Sequence, residues 1–364
     1  MKVGIVTMPL TINYGAVLQN FALQKVLRFL GHEPITLDFM PVFYKRTYLL
    51  RVCHEFACLL KSGKMDIHEL NPFTHRHHQP ISDFIKQHIS TTETFWHHYS
   101  HKIIDRYKLD AIVVGSDQVW RPRYNTRIED MYLKFAKDSD ILRVAYAASF
   151  GTANWEYTNP SLAQKCGKLL EKFKAISVRE ASGIELAAKL GRNDAVNVLD
   201  PTLLLGKEGF LEIVSPFKNK PDGNYIGAYI LDKNDDTTER LNSISTKLGI
   251  NQVLVLQEAH DLLGPGEWID AIASSSVFIT DSYHGTVFAI LNHVPFITKV
   301  NITRGADRFY SLLKPLNLEF AMIHDIQELT PERVSSLSFD WDKIDTRLDE
   351  LRKKSMEFLT CLQQ

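Results

Sequence analysis

The chain has 364 residues, more than one ordinary hydrophobic core holds, so two domains are expected. A hydrophobic share of 45% with 23% charged residues is that of a soluble globular protein, and a net charge of −1 argues against a nucleic-acid binder, whose footprint is basic. No apolar run reaches the ~20 residues of a bilayer span, and Cys53, Cys58, Cys166 and Cys361 form no CxxC pair, so neither a membrane span, a structural zinc site nor a disulfide framework is expected.

Residues 2–7 read as a short strand and not as a signal peptide, because the apolar run is short and lacks a cleavage site; the expected compartment is the cytoplasm. Asn13-Tyr14-Gly15 follows. Val17, Phe21, Leu23, Leu27 and Leu30 then recur near the helical period, and Gly31 supplies a stop. Residues 34–39 give the next strand. A β-loop-α-β unit of this kind builds a parallel sheet with its sites at strand C-termini. No GxGxxG follows the first strand, so no nicotinamide or flavin cofactor is predicted.

An excursion over 40–100 interrupts the pattern. Residues 42–64 are apolar, aromatic and basic together, the composition of a lid or a membrane-surface element, and equally of a helical excursion packed on its domain. His75-Arg76-His77-His78 has no Cys or carboxylate at zinc-site spacing, so no metal site is expected.

The alternation resumes with a strand at 108–114 that ends in Gly115-Ser116-Asp117-Gln118-Val119-Trp120. A strand over 142–147 ends in Ala148-Ser149-Phe150-Gly151, and a helix over 160–173 leads to a strand at 175–178. Arg179-Glu180 follows directly, then a helix over 181–190 and a short strand ending in Val198-Leu199-Asp200-Pro201-Thr202. These elements make an N-terminal α/β domain of residues 1–202. Gly206, Gly209, Pro216, Pro221 and Gly223 mark 203–223 as a linker. A second set occupies 224–330, with strands at 225–231, 253–256, 277–280 and 294–297 and helices at 238–248, 266–274 and after His284. Residues 331–364 close the chain with a helix carrying Ile344, Leu348, Leu351, Met356 and Leu359 on one face. Two α/β halves predict a cleft between them.

The strand at 277–280 breaks into Asp281-Ser282-Tyr283-His284-Gly285. Asp281 or Ser282 can cap the helix that follows. His284 then stands in its first turn, where free N–H groups attract anions, and a titratable ring there is a candidate acid/base; alternatively it caps or packs. Arg179, at the end of an apolar strand, suits a carboxylate or phosphate, the alternative being an ion pair with Glu180. Arg304 and Arg308 add two more cations just after a predicted strand. The set fits a substrate with several negative charges.

In order and spacing, NYGAVLQNFALQ, GSDQVW, SFG, SVRE, LDPT, DSYHGTVFAILNHVPF and DRFYSLLKPLNL resemble the polysaccharide pyruvyl transferase family from residue 2 to about 318, with 40–100 matching least. The resemblance implies an α/β fold of two Rossmann-like domains in a GT-B-like arrangement with an interdomain cleft. It implies transfer of pyruvate from phosphoenolpyruvate to a sugar as a cyclic ketal, in bacterial surface polysaccharide synthesis. Phosphoenolpyruvate is then a co-substrate, with no metal and no other cofactor. His284 resembles the family's histidine and becomes the general acid/base. Arg179 becomes a donor-binding cation, with Ser177, Ser282 and Gly285 around it. Many members carry an arginine two residues before the histidine; this chain has Ser282, and Arg304 or Arg308 is expected to supply that charge. Asn13, Tyr14, Asp117, Gln118 and Trp120 are assigned to the acceptor side, with Trp120 stacking on a sugar or else anchoring the core. The acceptor is a saccharide, lipid-linked if 42–64 touch the inner membrane face. A glycosyltransferase using a nucleotide-sugar on the same architecture is the alternative, and a carbohydrate-binding protein without catalysis is a third reading.

Overall fold

Strand β1 (Lys2–Val6) is buried almost throughout, as a strand covered on both faces must be. In a computed structural model that describes residues 1–40, Cys53, Phe56, Leu59 and 79–363, apart from 97, 126, 233–234, 251, 259–262 and 302–304, it belongs to a six-stranded sheet. The other members are β2 (Glu33–Thr36), β5 (Ala111–Val114), β6 (Leu142–Ala148), β7 (Ala175–Val178) and β8 (Val196–Asn197). The spatial order is β2-β1-β5-β6-β7-β8 and every pairing is parallel. A separate two-stranded pair joins β3 (Phe39–Met40) to β4 (Phe95–Trp96). The second sheet contains β9 (Ile226–Tyr229), β10 (Val253–Val255), β11 (Val277–Thr280), β12 (Phe296–Lys299) and β13 (Met322–Ile323), all parallel in the order β10-β9-β11-β12-β13.

Both sheets are doubly wound, and each reverses direction beside its first strand. In the first sheet that point lies between β1 and β5; in the second it lies between β9 and β11. Ligands bind outside the carboxyl ends of strands at such switch points. The exits there are Asn13-Tyr14-Gly15 and Gly115-Ser116-Asp117 in the first half, and Asp281-Ser282-Tyr283-His284 in the second.

The helix Tyr14–Phe29 is buried on nearly all sides, because it lies between the first sheet and the second half of the molecule. Gln24 on this helix ties it to its surroundings, its Nε2 donating to Thr36 Oγ1 at 2.9 Å and to the Ser90 carbonyl at 2.8 Å. Tyr14, Phe21, Trp268 and Phe288 share one core, so the two halves are welded by apolar contact. Gly31 takes φ +80° and stops the helix as expected.

Residues 203–223 carry the end of a short helix, Pro201–Leu205, and bury Phe210, Ile213 and Phe217 in that shared core. The closing helix Trp341–Leu359 buries Ile344 and Leu348 there too. Its far end returns to the first sheet, where Leu359 packs with Val3, Ile5 and Leu23.

Among the boundaries that differ from the sequence reading, two have a local cause. The strand expected at 294–297 begins at Phe296, because the Val294 N–H still bonds the Ala289 carbonyl, 3.0 Å away, and Pro295 follows. The strand expected to end in Val198–Thr202 is Val196–Asn197; Asp200 instead caps the helix Pro201–Leu205 through the Thr202 N–H. The 42–64 segment, apart from isolated residues, and His75-Arg76-His77-His78 lie outside the described residues, as does Arg304. Among the described residues no helix is long and apolar enough to cross a membrane.

Candidate active site

Asp200 is the hub of the cleft. Its side chain is fully buried at the N-terminus of Pro201–Leu205. Oδ1 accepts from the Thr202 N–H at 2.9 Å and from Thr202 Oγ1 at 2.6 Å. Oδ2 accepts from Ser116 Oγ at 2.9 Å and from Arg179 Nη1 at 2.9 Å, and lies 3.6 Å from His284 Nε2. Burial alone would raise this carboxyl. The nearby His284 ring, with Arg179 and the Thr202 hydrogen bonds, outweighs burial and holds it well below the usual range.

Arg179 extends from the end of β7 with its guanidinium shut off from solvent. Burial opposes its charge, but Asp200, Tyr283, Asp117 and Glu180 more than offset that and keep it protonated. Its guanidinium carbon sits 4.8 Å from the centre of the Tyr283 ring, and that of Arg308 sits 5.7 Å from the same centre. Both distances are within cation–π reach. Burial, and then repulsion from Arg179, pull the Arg308 guanidinium down to about 10.

His284 occupies the first turn of the helix Tyr283–Leu291. Ser282 caps that helix, its Oγ accepting from the Gly285 N–H at 3.3 Å. Asp281 acts elsewhere. Its carboxylate accepts from the Leu231 and Asp232 N–H groups at 2.6 and 2.8 Å, tying the exit of β9 to that of β11. The His284 ring lies against Gly15, where any β-carbon would overlap Nδ1. Asn13 caps the opposing helix Tyr14–Phe29 by accepting from the Gly15 N–H at 2.9 Å. Two helix N-termini, one from each half, therefore converge on His284.

Glu180 organises the neighbouring turn. Burial raises its carboxyl despite Arg179, and its Oε1 accepts from the N–H groups of Phe150 and Gly151 at 2.6 and 3.1 Å. Gly151 in turn meets Gly305, whose φ of +100° leaves no room for a β-carbon beside the Gly151 carbonyl oxygen. Asp117 adopts φ +84°, a left-handed conformation that Asp tolerates better than most residues. Its Oδ1 accepts from the Gln118 N–H at 2.8 Å and stands 3.7 Å from Arg179 Nη2. Gln118 Oε1 accepts from Arg121 Nη1 at 2.9 Å.

Several residues expected at substrate are occupied elsewhere. Trp120 is fully buried, stacked on Tyr132 with centroids 5.1 Å apart, and its Nε1 donates to the Met131 carbonyl; it is a core anchor with no face for a sugar. Tyr14 is buried against Trp268 and donates its hydroxyl to the Leu263 carbonyl at 2.8 Å, which makes it a tie between the halves. Ser177 Oγ donates to the Ala145 carbonyl and accepts from the Ala147 N–H, both at 3.0 Å, so it splints the register shift of β6 and does not face a donor. Gly285 is a packing residue, since a β-carbon there would lie 2.6 Å from Thr280 Oγ1.

Asp200, Ser116 and Tyr283 received no role from the sequence. Asp200-Pro201 carried the one usable signal, a helix start, but that signal says nothing about what else the carboxylate touches. Among the described residues no group of three or more His, Cys, Asp or Glu is arranged to hold a metal ion.

Residues 13–301 match the family model for polysaccharide pyruvyl transferase. Among solved structures, UDP-GlcNAc 2-epimerase from Methanocaldococcus jannaschii is similar with a TM-score of 0.55 at 12% identity, over 93% of each chain. UDP-GlcNAc 2-epimerase from Neisseria meningitidis bound to UDP-GlcNAc gives 0.54 at 11% identity, over 99% of each chain. The glycotransferase of kitacinnamycin gives 0.50 at 12% identity, over 98% of this chain and 95% of that one. At such identities these likenesses fix the fold, two Rossmann-like domains in a GT-B-like arrangement, and nothing about activity. No curated protein matches the sequence significantly.

Proposed function

The chain belongs to the polysaccharide pyruvyl transferase family, and we propose that it moves pyruvate from phosphoenolpyruvate onto two hydroxyls of a saccharide as a cyclic ketal. The observation that carries this reading is the convergence of Arg179 and Arg308 on one Tyr283 ring beside His284. The donor has a carboxylate and a phosphate, and two fixed guanidinium groups match them. Arg304 or Arg308 takes the place of the arginine that many family members carry where this chain has Ser282.

The chemistry runs in two additions. His284 delivers a proton to the methylene carbon of phosphoenolpyruvate, and a sugar hydroxyl attacks C2 and returns its proton to the histidine. The second hydroxyl then attacks C2, the C2–O bond to phosphate breaks, and inorganic phosphate leaves with the remaining proton. A diol and phosphoenolpyruvate become a ketal and phosphate, so the balance needs no redox cofactor or metal. Arg179 and Arg308 hold the charge that develops on the leaving group. Asn13, Asp117 and Gln118, at the exits of β1 and β5, are the residues left to meet the acceptor. The acceptor is assigned to bacterial surface polysaccharide synthesis on the cytoplasmic side, lipid-linked if 42–64 contact the membrane.

Phosphate release from phosphoenolpyruvate with a panel of galactosides, glucosides and mannosides, followed by mass analysis, tests the reading. The expected product gains one pyruvyl unit minus water and disappears in His284→Ala. No turnover, together with thermal stabilisation by a nucleotide-sugar and none by phosphoenolpyruvate, would instead assign a glycosyltransferase to the same fold.

A further inference from the structure

The two nitrogens of His284 have different surroundings. Nε2 points inward: it is sealed from solvent, has no hydrogen-bond partner among the described residues, and faces Asp200 Oδ2 at 3.6 Å. That is ion-pair reach, longer than a hydrogen bond. Nδ1 lies on the other side of the ring, against Gly15. Gly15 is itself held by the Asn13 cap of its helix. Asp200 cannot swing away, because Thr202, Ser116 and Arg179 already grip both of its oxygens.

We infer that Asp200 is the positioning residue for His284, and that Nδ1 is the nitrogen that exchanges protons with substrate. A carboxylate facing Nε2 favours the tautomer with its proton on that atom. The neutral ring then keeps its lone pair on Nδ1, and the protonated ring adds a proton there, so Nδ1 is the nitrogen left for exchange with substrate. Asp200 takes no proton itself. Its burial would favour protonation, yet His284, Arg179 and Thr202 hold it ionised. The other charged groups near the pair are Arg179, Arg308, Asp117 and Glu180, with the phenol of Tyr283 kept neutral by burial and by Asp200. The same contact makes Gly15 a steric requirement: a methyl there would push the ring away from the working position.

The identity of the substrate in this inference rests on the pyruvyl-transfer reading; the orientation of the ring does not. Nitrogen-15 NMR of enzyme labelled in its imidazoles, with His284 assigned by difference against His284→Gln, reads the tautomer without substrate. A proton on Nε2, with that preference weakened in Asp200→Asn, is expected. A proton on Nδ1 of the unmodified enzyme overturns the inference whatever the reaction proves to be. In turnover, Asp200→Asn lowers kcat by about 100-fold, the low end of what a positioned acid/base group contributes. Gly15→Ala leaves both arginines in place, so kcat falls while the donor Kd moves by less than about threefold. Full kcat in either variant, with a native unfolding transition, also overturns it. A proton on Nε2 without any pyruvyl transfer counts against the reaction and supports the role of Asp200.

Discussion

The Arg179 guanidinium stacks 4.8 Å above the Tyr283 ring although the two residues leave different sheets. One face of the cleft thus reads the other through a cation and an aromatic ring. Burial keeps both groups in place: Arg179 is anchored by Asp200 below, and Tyr283 is buried with its neighbour His284 edge-on at 5.2 Å. The pair brings the Arg179 guanidinium of the first half beside the His284 ring of the second.

Arg308 should set donor affinity. Removing a charged partner of an anion costs about 1.5–3 kcal/mol. Arg308→Ala is therefore expected to raise the KM for phosphoenolpyruvate by about 10- to 100-fold with a smaller change in kcat, and Arg308→Lys should recover part of it, since a point charge replaces a fork. Steady-state kinetics in donor at saturating acceptor measure this. An unchanged KM would remove Arg308 from the donor site.

Asp200 should make stability depend on acid pH. Its folded pKa is depressed, so its contribution is present above the unfolded value of about 3.9 and is lost as pH falls towards the lower folded value. Asp200→Asn leaves Arg179 buried beside a neutral partner and should cost about 3 kcal/mol or more at pH 7. The gap between variant and native protein should narrow below about pH 4. Denaturant midpoints at several pH values report the gap; a gap of constant size would mean the carboxylate carries no such linkage.

Trp120 should matter for stability and not for sugar binding. Its indole is enclosed by Tyr132, Phe150 and Phe173. Trp120→Ala is expected to cost about 3–5 kcal/mol. Trp120→Phe should keep the acceptor KM near native, measured beside a thermal melt. A large rise in acceptor KM with an unchanged melt would restore the stacking role.

Gly305 is expected to admit no side chain. Its φ of +100° and its contact with the Gly151 carbonyl both exclude a β-carbon. Gly305→Ala should destabilise by about 1–3 kcal/mol. It should also raise the donor KM, because Arg308 accepts its position from the same turn, its Nε reaching the Gly305 carbonyl at 3.4 Å. Melting temperature and KM measured together check this, and no change in either would mean the turn yields freely.

The strands at residues 175–178 and 277–280 are legible in the sequence because apolar runs bounded by polar turns are local patterns. A cap at Asp281 or Ser282 is legible for the same reason, since a cap is a contact three residues long; the structure gives it to Ser282. So is the family, from motifs that stand in order along the chain. Trp120 is not, because an aromatic residue in a polar turn looks the same whether the ring folds inward or out. Ser177 misleads because its position at a strand end is visible in the sequence, whereas the register shift it splints is a property of the neighbouring strand.

Local patterns thus suffice to say where strands end and which side chains sit at their tips, for those follow from periodicity and turn chemistry over a few residues. Which tips meet is a matter of tertiary packing. That Asp200 of the first half holds Arg179 and faces His284 of the second depends on how two sheets dock through the core of Tyr14, Phe21, Trp268 and Phe288. Docking is a sum of many weak apolar contacts between residues distant in sequence, and no local pattern encodes the partner.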